Sequence, residues 1–77
     1  MSKEQIREQL RALVRVELKR ELDEIDGQLA AHFDSVDLMA LVMAVEEEFE
    51  ITLEPEDEEF IETLDDLILV IEEKNSV

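Results

Sequence analysis

The sequence predicts an all-α fold: a small irregular four-helix bundle with three longer helices and one short one. Three observations carry this expectation. One glycine and one proline stand in 77 residues, so little interrupts helical segments. Apolar residues recur at spacings of three and four, and no long segment alternates as a strand would. Hydrophobic residues make up 45% of the chain, which separates it from a disordered acidic polymer. At this length one domain covering residues 1–77 is expected.

From Lys3 to Leu22 the residues Ile6, Leu10, Leu13, Val14 and Leu18 form one apolar stripe on a helix. Glu4–Arg7, Glu8–Arg11 and Glu17–Arg20 stand three apart, as weakly favourable pairs do. Asp26-Gly27 is a turn signal, so this helix stops before it. Residues 27–33 form a loop whose Leu29 and Phe33 plug the core from the side.

Asp34 begins the second helix, with its carboxylate placed to accept the Asp37 N–H and Asp37 in the positive first turn. Val36, Leu38, Met39, Leu41, Val42, Met43, Val45 and Phe49 make its apolar face broader than core packing needs. The excess is expected to face a ligand or a partner. Glu46, Glu47, Glu48 and Glu50 crowd its end, where the helix dipole disfavours acids; a purely structural helix gains nothing from them.

Ile51 and Leu53 anchor the loop "ITLE". Pro55 suits a first helical position, so "PEDEEFI" makes a short third helix held by Phe60 and Ile61. Thr63 and Asp66 have capping-box spacing for a last helix from Leu64 to about Lys74. Leu67, Ile68 and Ile71 point inward, and Leu69 and Val70 widen that face into an apolar edge.

The formal net charge is −16, from 7 basic and 23 acidic side chains. Residues 1–22 hold six of the basic and four of the acidic residues, giving +2. Such a field repels phosphate backbones and excludes nucleic acid as a direct partner. It steers basic surfaces into contact instead. No apolar run approaches the ~20 residues that cross a bilayer, and there is no cysteine for a disulfide or thiolate metal site. A cytoplasmic monomer without membrane insertion is expected.

Catalysis finds little support. The lone His32 lies three residues before Ser35, but nothing marks an oxyanion-binding turn, so a Ser–His–Asp reading is rejected. The calcium-loop pattern is absent, and clustered acids support only loose cation screening. No catalytic and no metal residue is assigned. Ser35 itself has two readings: a helix cap, or a hydroxyl left free because Asp34 already caps. In the second, an attached phosphate lies near the unpaired N–H groups of a helix start.

"DSVDLMALVMAVEEEF", residues 34–49, resembles the modification site and second helix of acyl carrier proteins. "FEITLEPEDEEFIETLDDLILVIEEK" is similar to the acidic loop, short third helix and Thr-led fourth helix of that family. The resemblance covers essentially the whole chain. It implies that Ser35 receives 4′-phosphopantetheine from coenzyme A through a phosphopantetheinyl transferase. The thiol of that arm then carries acyl, or alternatively aminoacyl or peptidyl, groups as thioesters. Loading ligases and condensing or transfer enzymes with basic docking patches would be the partners. The resemblance gives Asp34 a role in shaping the modification site and makes Val36 the apolar anchor beside it. Asp37, Glu46 and Glu47 match docking acids, and Met39, Met43 and Ile61 either meet partners or line a cargo cleft; ordinary core is the competing reading for the methionines. Val36 replaces the usual leucine, His32 and Phe33 precede the aspartate, Leu38 replaces a polar residue, and Ala40 stands where an acid is common. That greasier face points to a specialised pathway. The competing class is an acidic helical adaptor with no prosthetic group.

Overall fold

Ser2 starts the first helix. Its hydroxyl accepts the Gln5 N–H at 3.2 Å, and the Gln5 side chain accepts the Ser2 N–H at 2.9 Å, a reciprocal cap. The computed structural model describes residues 1–75, in which α1 spans Lys3–Leu18, α2 Ser35–Phe49, α3 Pro55–Phe60 and α4 Leu64–Asn75. Single 3₁₀ turns at Leu22–Glu24 and Leu29–Ala31 punctuate the long α1–α2 connection. Among the described residues the only β-type pairing is an isolated bridge between Gln28 and Thr63. The architecture is the expected irregular four-helix bundle.

The core is built from four-residue repeats. Ile6, Leu10 and Val14 of α1 meet Leu41, Val45 and Phe49 of α2 and Leu64, Leu67, Ile68 and Ile71 of α4, all buried. Each fully buried aliphatic side chain contributes roughly 1.5–3 kcal/mol. α1 packs on both α2 and α4. Leu29 and Phe33 are buried as expected, and Leu22 and Ile25 join them from the same connection.

Four expectations about these elements are corrected. α1 ends at Leu18 rather than Leu22, because Lys19 turns left-handed at φ 56° and donates its N–H to the Val14 carbonyl. The helix is thus closed by a lysine, without the usual glycine signal. Leu22 is buried all the same, from its own 3₁₀ turn. Phe60 does not hold α3: it is exposed, and α3 buries no side chain. A Glu54–Asp57 reciprocal cap and a 2.9 Å ion pair from Asp57 to Lys74 fasten that helix instead. Val70 is buried and Leu69 half-buried, so they widen the inward face as expected but form no exposed edge. Finally, the arginines of α1 mostly reach beyond their own helix.

Arg7 pairs with Asp65 at 3.1 Å, Arg11 with Asp23, and Arg15 with both carboxylate oxygens of Glu21. The facing guanidinium groups hold the Asp23 and Glu21 carboxyls below their usual range. Of the expected short-range pairs only Glu8–Arg11 forms among the described residues, at 3.4 Å. Arg20 crosses to the other end of the connection. It donates to the His32 carbonyl at 2.9 Å and lies 5.1 Å over the Phe33 ring. At the α4 start, the Thr63 hydroxyl accepts the Asp66 N–H, and Asp66 accepts the N–H groups of Glu62 and Thr63. The bridge beside it, with the Leu29 N–H donating to the Glu62 carbonyl at 2.7 Å, ties the connection to α4. These contacts deliver the chain to Asp34 in one orientation.

Candidate functional site

Asp34 precedes α2 with an extended backbone, and its carboxylate accepts the Asp37 N–H at 2.8 Å. Ser35 is therefore the first helical residue. It is exposed, and its hydroxyl makes no hydrogen bond among the described residues. The first N–H groups of a helix have no partner within the helix and favour negative charge. The position accordingly offers a free nucleophilic oxygen beside donors suited to a phosphate.

His32 does not serve that oxygen. Its Nε2 lies 2.6 Å from the Asp26 carbonyl oxygen, and its own carbonyl accepts from Arg20. The imidazole is a brace for the connection.

Val36, Met39 and Met43 lie on one face of α2, at 71%, 65% and 65% exposure. The methionines are therefore surface rather than core, and they do not line the apolar cleft. Glu47 continues the same face one turn on and is exposed. Asp37 is half-buried in the first turn. Glu46 has a structural task that the sequence hid: its carboxylate accepts the Leu53 N–H at 2.9 Å. That bond satisfies a backbone donor of the α2–α3 loop, so a structural helix does gain from this acid.

Ile61 lies apart from the methionines. It lines a cleft of about 150 Å³ with Leu29, Leu38, Leu41, Val42 and Leu67, and Glu58 at the border. The cleft draws on α2, α4, the α1–α2 connection and the segment through α3. Only Ile61 of this set was expected from sequence. The others look like ordinary core positions, and nothing in their spacing distinguishes a cleft wall from a filled interior.

A family model described as the phosphopantetheine attachment site matches residues 8–71. The acyl carrier protein of Exiguobacterium sp. strain AT1b is 35% identical to this chain, over 96% of the chain and 99% of that protein. The chain belongs to the acyl carrier protein family. Acyl carrier proteins are carriers, not enzymes, and their prosthetic group is 4′-phosphopantetheine. The residues present in this carrier fit such a group: a free hydroxyl at a helix start, with an apolar cleft elsewhere on the bundle. Carriage in this family involves a phosphopantetheinyl transferase and further partner enzymes. No helix among the described residues of the carrier is long and apolar enough to cross a membrane.

Proposed function

We propose that Ser35 is the attachment residue for 4′-phosphopantetheine and that the exposed face of α2 delivers the cargo to partner enzymes. One observation carries the reading: Asp34 performs the capping, which leaves the Ser35 hydroxyl exposed and without a hydrogen bond among the described residues. Ser35 is also the single serine within the matched residues 8–71. When attached, the group supplies a terminal thiol that holds acyl groups as thioesters.

The side chains then have distinct tasks. Asp34 fixes the helix start. Val36 gives the transferase an apolar contact beside the hydroxyl. Met39 and Met43 present adaptable, polarisable surface to successive partners. Glu47 and Asp37 attract basic patches, and Glu46 contributes the carboxylate oxygen that Leu53 leaves free. Ile61 belongs with the cleft and receives apolar cargo there. Because the start of the docking face is apolar and Ala40 adds no charge, its partners carry apolar sockets ringed by basic residues. This favours enzymes of a specialised pathway, with acyl rather than aminoacyl cargo suited to the apolar cleft.

Co-expression with a broad-specificity phosphopantetheinyl transferase, followed by intact-mass measurement, tests the assignment. The wild type is expected to gain the mass of one phosphopantetheine and Ser35→Ala to gain none. A gain that survives Ser35→Ala sinks the choice of residue; no gain on the wild type sinks the carrier reading.

A further inference from the structure

We propose a second docking surface, in a groove between α1 and the C-terminal part of α2, whose occupant is a short basic amphipathic helix of a partner protein. Two adjoining depressions form the groove, sharing Leu13, Glu17 and Glu48. Half-buried Leu13 and Ala44 form the floor, and Val16, 64% exposed, stands at the side with Ala12. Glu17, Glu47, Glu48 and Glu50 rim it, and no cation lines it among the described residues.

The arginines are one-sided. Arg7, Arg11 and Arg15 of α1 bond to Asp65, to Asp23 and Glu8, and to Glu21, and Arg20 beyond the helix bonds to the His32 carbonyl. Lys19 donates to the Val16 carbonyl at 3.1 Å at one end of the groove, and the flank is otherwise apolar and anionic. The acids there oppose folding rather than assist it. Glu47, Glu48 and Glu50 sit at the negative end of the α2 dipole. Glu50 also holds φ 54°, a conformation glycine adopts without strain. Apolar floor and anionic rim together match a helix with one apolar stripe flanked by lysine or arginine, laid into the groove. The α1 side runs from Gln9 to Glu17, which at 1.5 Å per residue is about 12 Å, or roughly two turns of an occupant. A second copy of this chain is a poor occupant, since both copies carry −16.

Position gives the surface its use. Glu48 lies 13 residues along α2 from Ser35, about 20 Å by helical rise. A helix held in the groove leaves the start of α2 open. The groove thus retains the carrier beside one protein while another works at the Ser35 end. It does not depend on attachment at Ser35.

The test uses the full chain, ¹⁵N-labelled, titrated with a synthetic helical peptide of leucines on one face and lysines on the other. Amide shifts are expected to centre on Leu13, Val16, Glu17, Ala44 and Glu48. Val16→Ser removes an exposed apolar contact and is expected to weaken binding about tenfold. Glu48→Gln is expected to weaken it severalfold, with melting temperature unchanged or raised in either variant. Ser35→Ala is expected to bind as the wild type does, whatever the mass experiment returns. Shifts centred on Val36, Met39 and Met43 overturn the proposal. So does equal binding by a peptide of the same composition without an apolar face, insensitivity to both substitutions, or a peptide-free dimer through this face.

Discussion

Asp34 and Ser35 are adjacent, polar and both good helix starters, yet only one of them holds the helix. The Asp34 carboxylate satisfies a backbone donor, while the Ser35 hydroxyl satisfies none among the described residues. Asp34→Ala is expected to cost about 1 kcal/mol, the usual loss for a cap. Ser35→Ala is expected to stay within about 0.5 kcal/mol, as for exposed side chains without contacts. Urea unfolding of the two variants measures both; equal losses would make the serine a structural residue. This pair was readable in sequence because capping is local. Met39 and Met43 were not readable in the same way. Apolar residues surround most of α2, so periodicity left two possible outward faces. Only the packing of α2 on α1, which buries Leu41, Val45 and Phe49 in the core, decides between them. Glu46 was hidden for the opposite reason: its partner, the Leu53 N–H, is seven residues away in a loop.

Helix α3 shows how an element persists without a buried face. Its start is fixed by Pro55 and the Glu54–Asp57 reciprocal cap, which sequence suggests only through the proline. Asp57–Lys74 ties it to α4, with buried Leu53 before it and Ile61 packed on the core after it. The Lys74 ammonium and the Glu54 N–H hold the Asp57 carboxyl below its usual range, and Asp57 raises Lys74. The sign follows from these directions. A carboxyl lowered in the folded state stabilises above its unfolded pKa and loses that contribution as pH falls through the folded value. A raised lysine stabilises below its unfolded pKa and loses it as pH rises through its folded value. The melting-temperature gap between wild type and Lys74→Met is therefore expected to be full near neutrality, to close in acid below the ordinary aspartate range, and to close again in strong alkali. Thermal melts across pH check this; a gap that stays constant into acid would show that the pair does not fasten α3. Phe60 misled the sequence reading because an aromatic residue beside Ile61 looks like an anchor. With caps and an ion pair holding the helix, the ring stays exposed.

Across the chain, the bundle itself was clear from periodicity, and its connection was clear only in outline. Residues Leu22, Ile25, Leu29 and Phe33 stand three and four apart, as on a helix, but Asp26-Gly27 interrupts them, and all four reach the core from a connection that holds only single 3₁₀ turns. Arg20 had a local partner in sequence, Glu17, which pointed away from its place over Phe33. The acidity was plain in composition, and it sets a property of the entire fold. With −16 on a small bundle, self-repulsion opposes compactness. Raising salt from about 0.01 M to about 1 M shortens the screening length from roughly 30 Å to roughly 3 Å. The melting temperature is expected to rise through that range, since repulsion among many acids outweighs the few exposed arginine pairs that salt also weakens. Calorimetry at several salt concentrations tests the balance, and a falling melting temperature would mean that the arginine pairs dominate.

The one-sided arginines of α1 have a consequence for how this protein moves before it touches anything. Their flank is close to electrically neutral, while the acids of α2 and of the Glu17–Glu50 rim have no ion-pair partner among the described residues. The molecule is a dipole as well as a net charge. A positively charged surface at a distance therefore exerts a torque on it, not only a pull. Tumbling is biased so that the arginine-braced side trails and the α2 side arrives first.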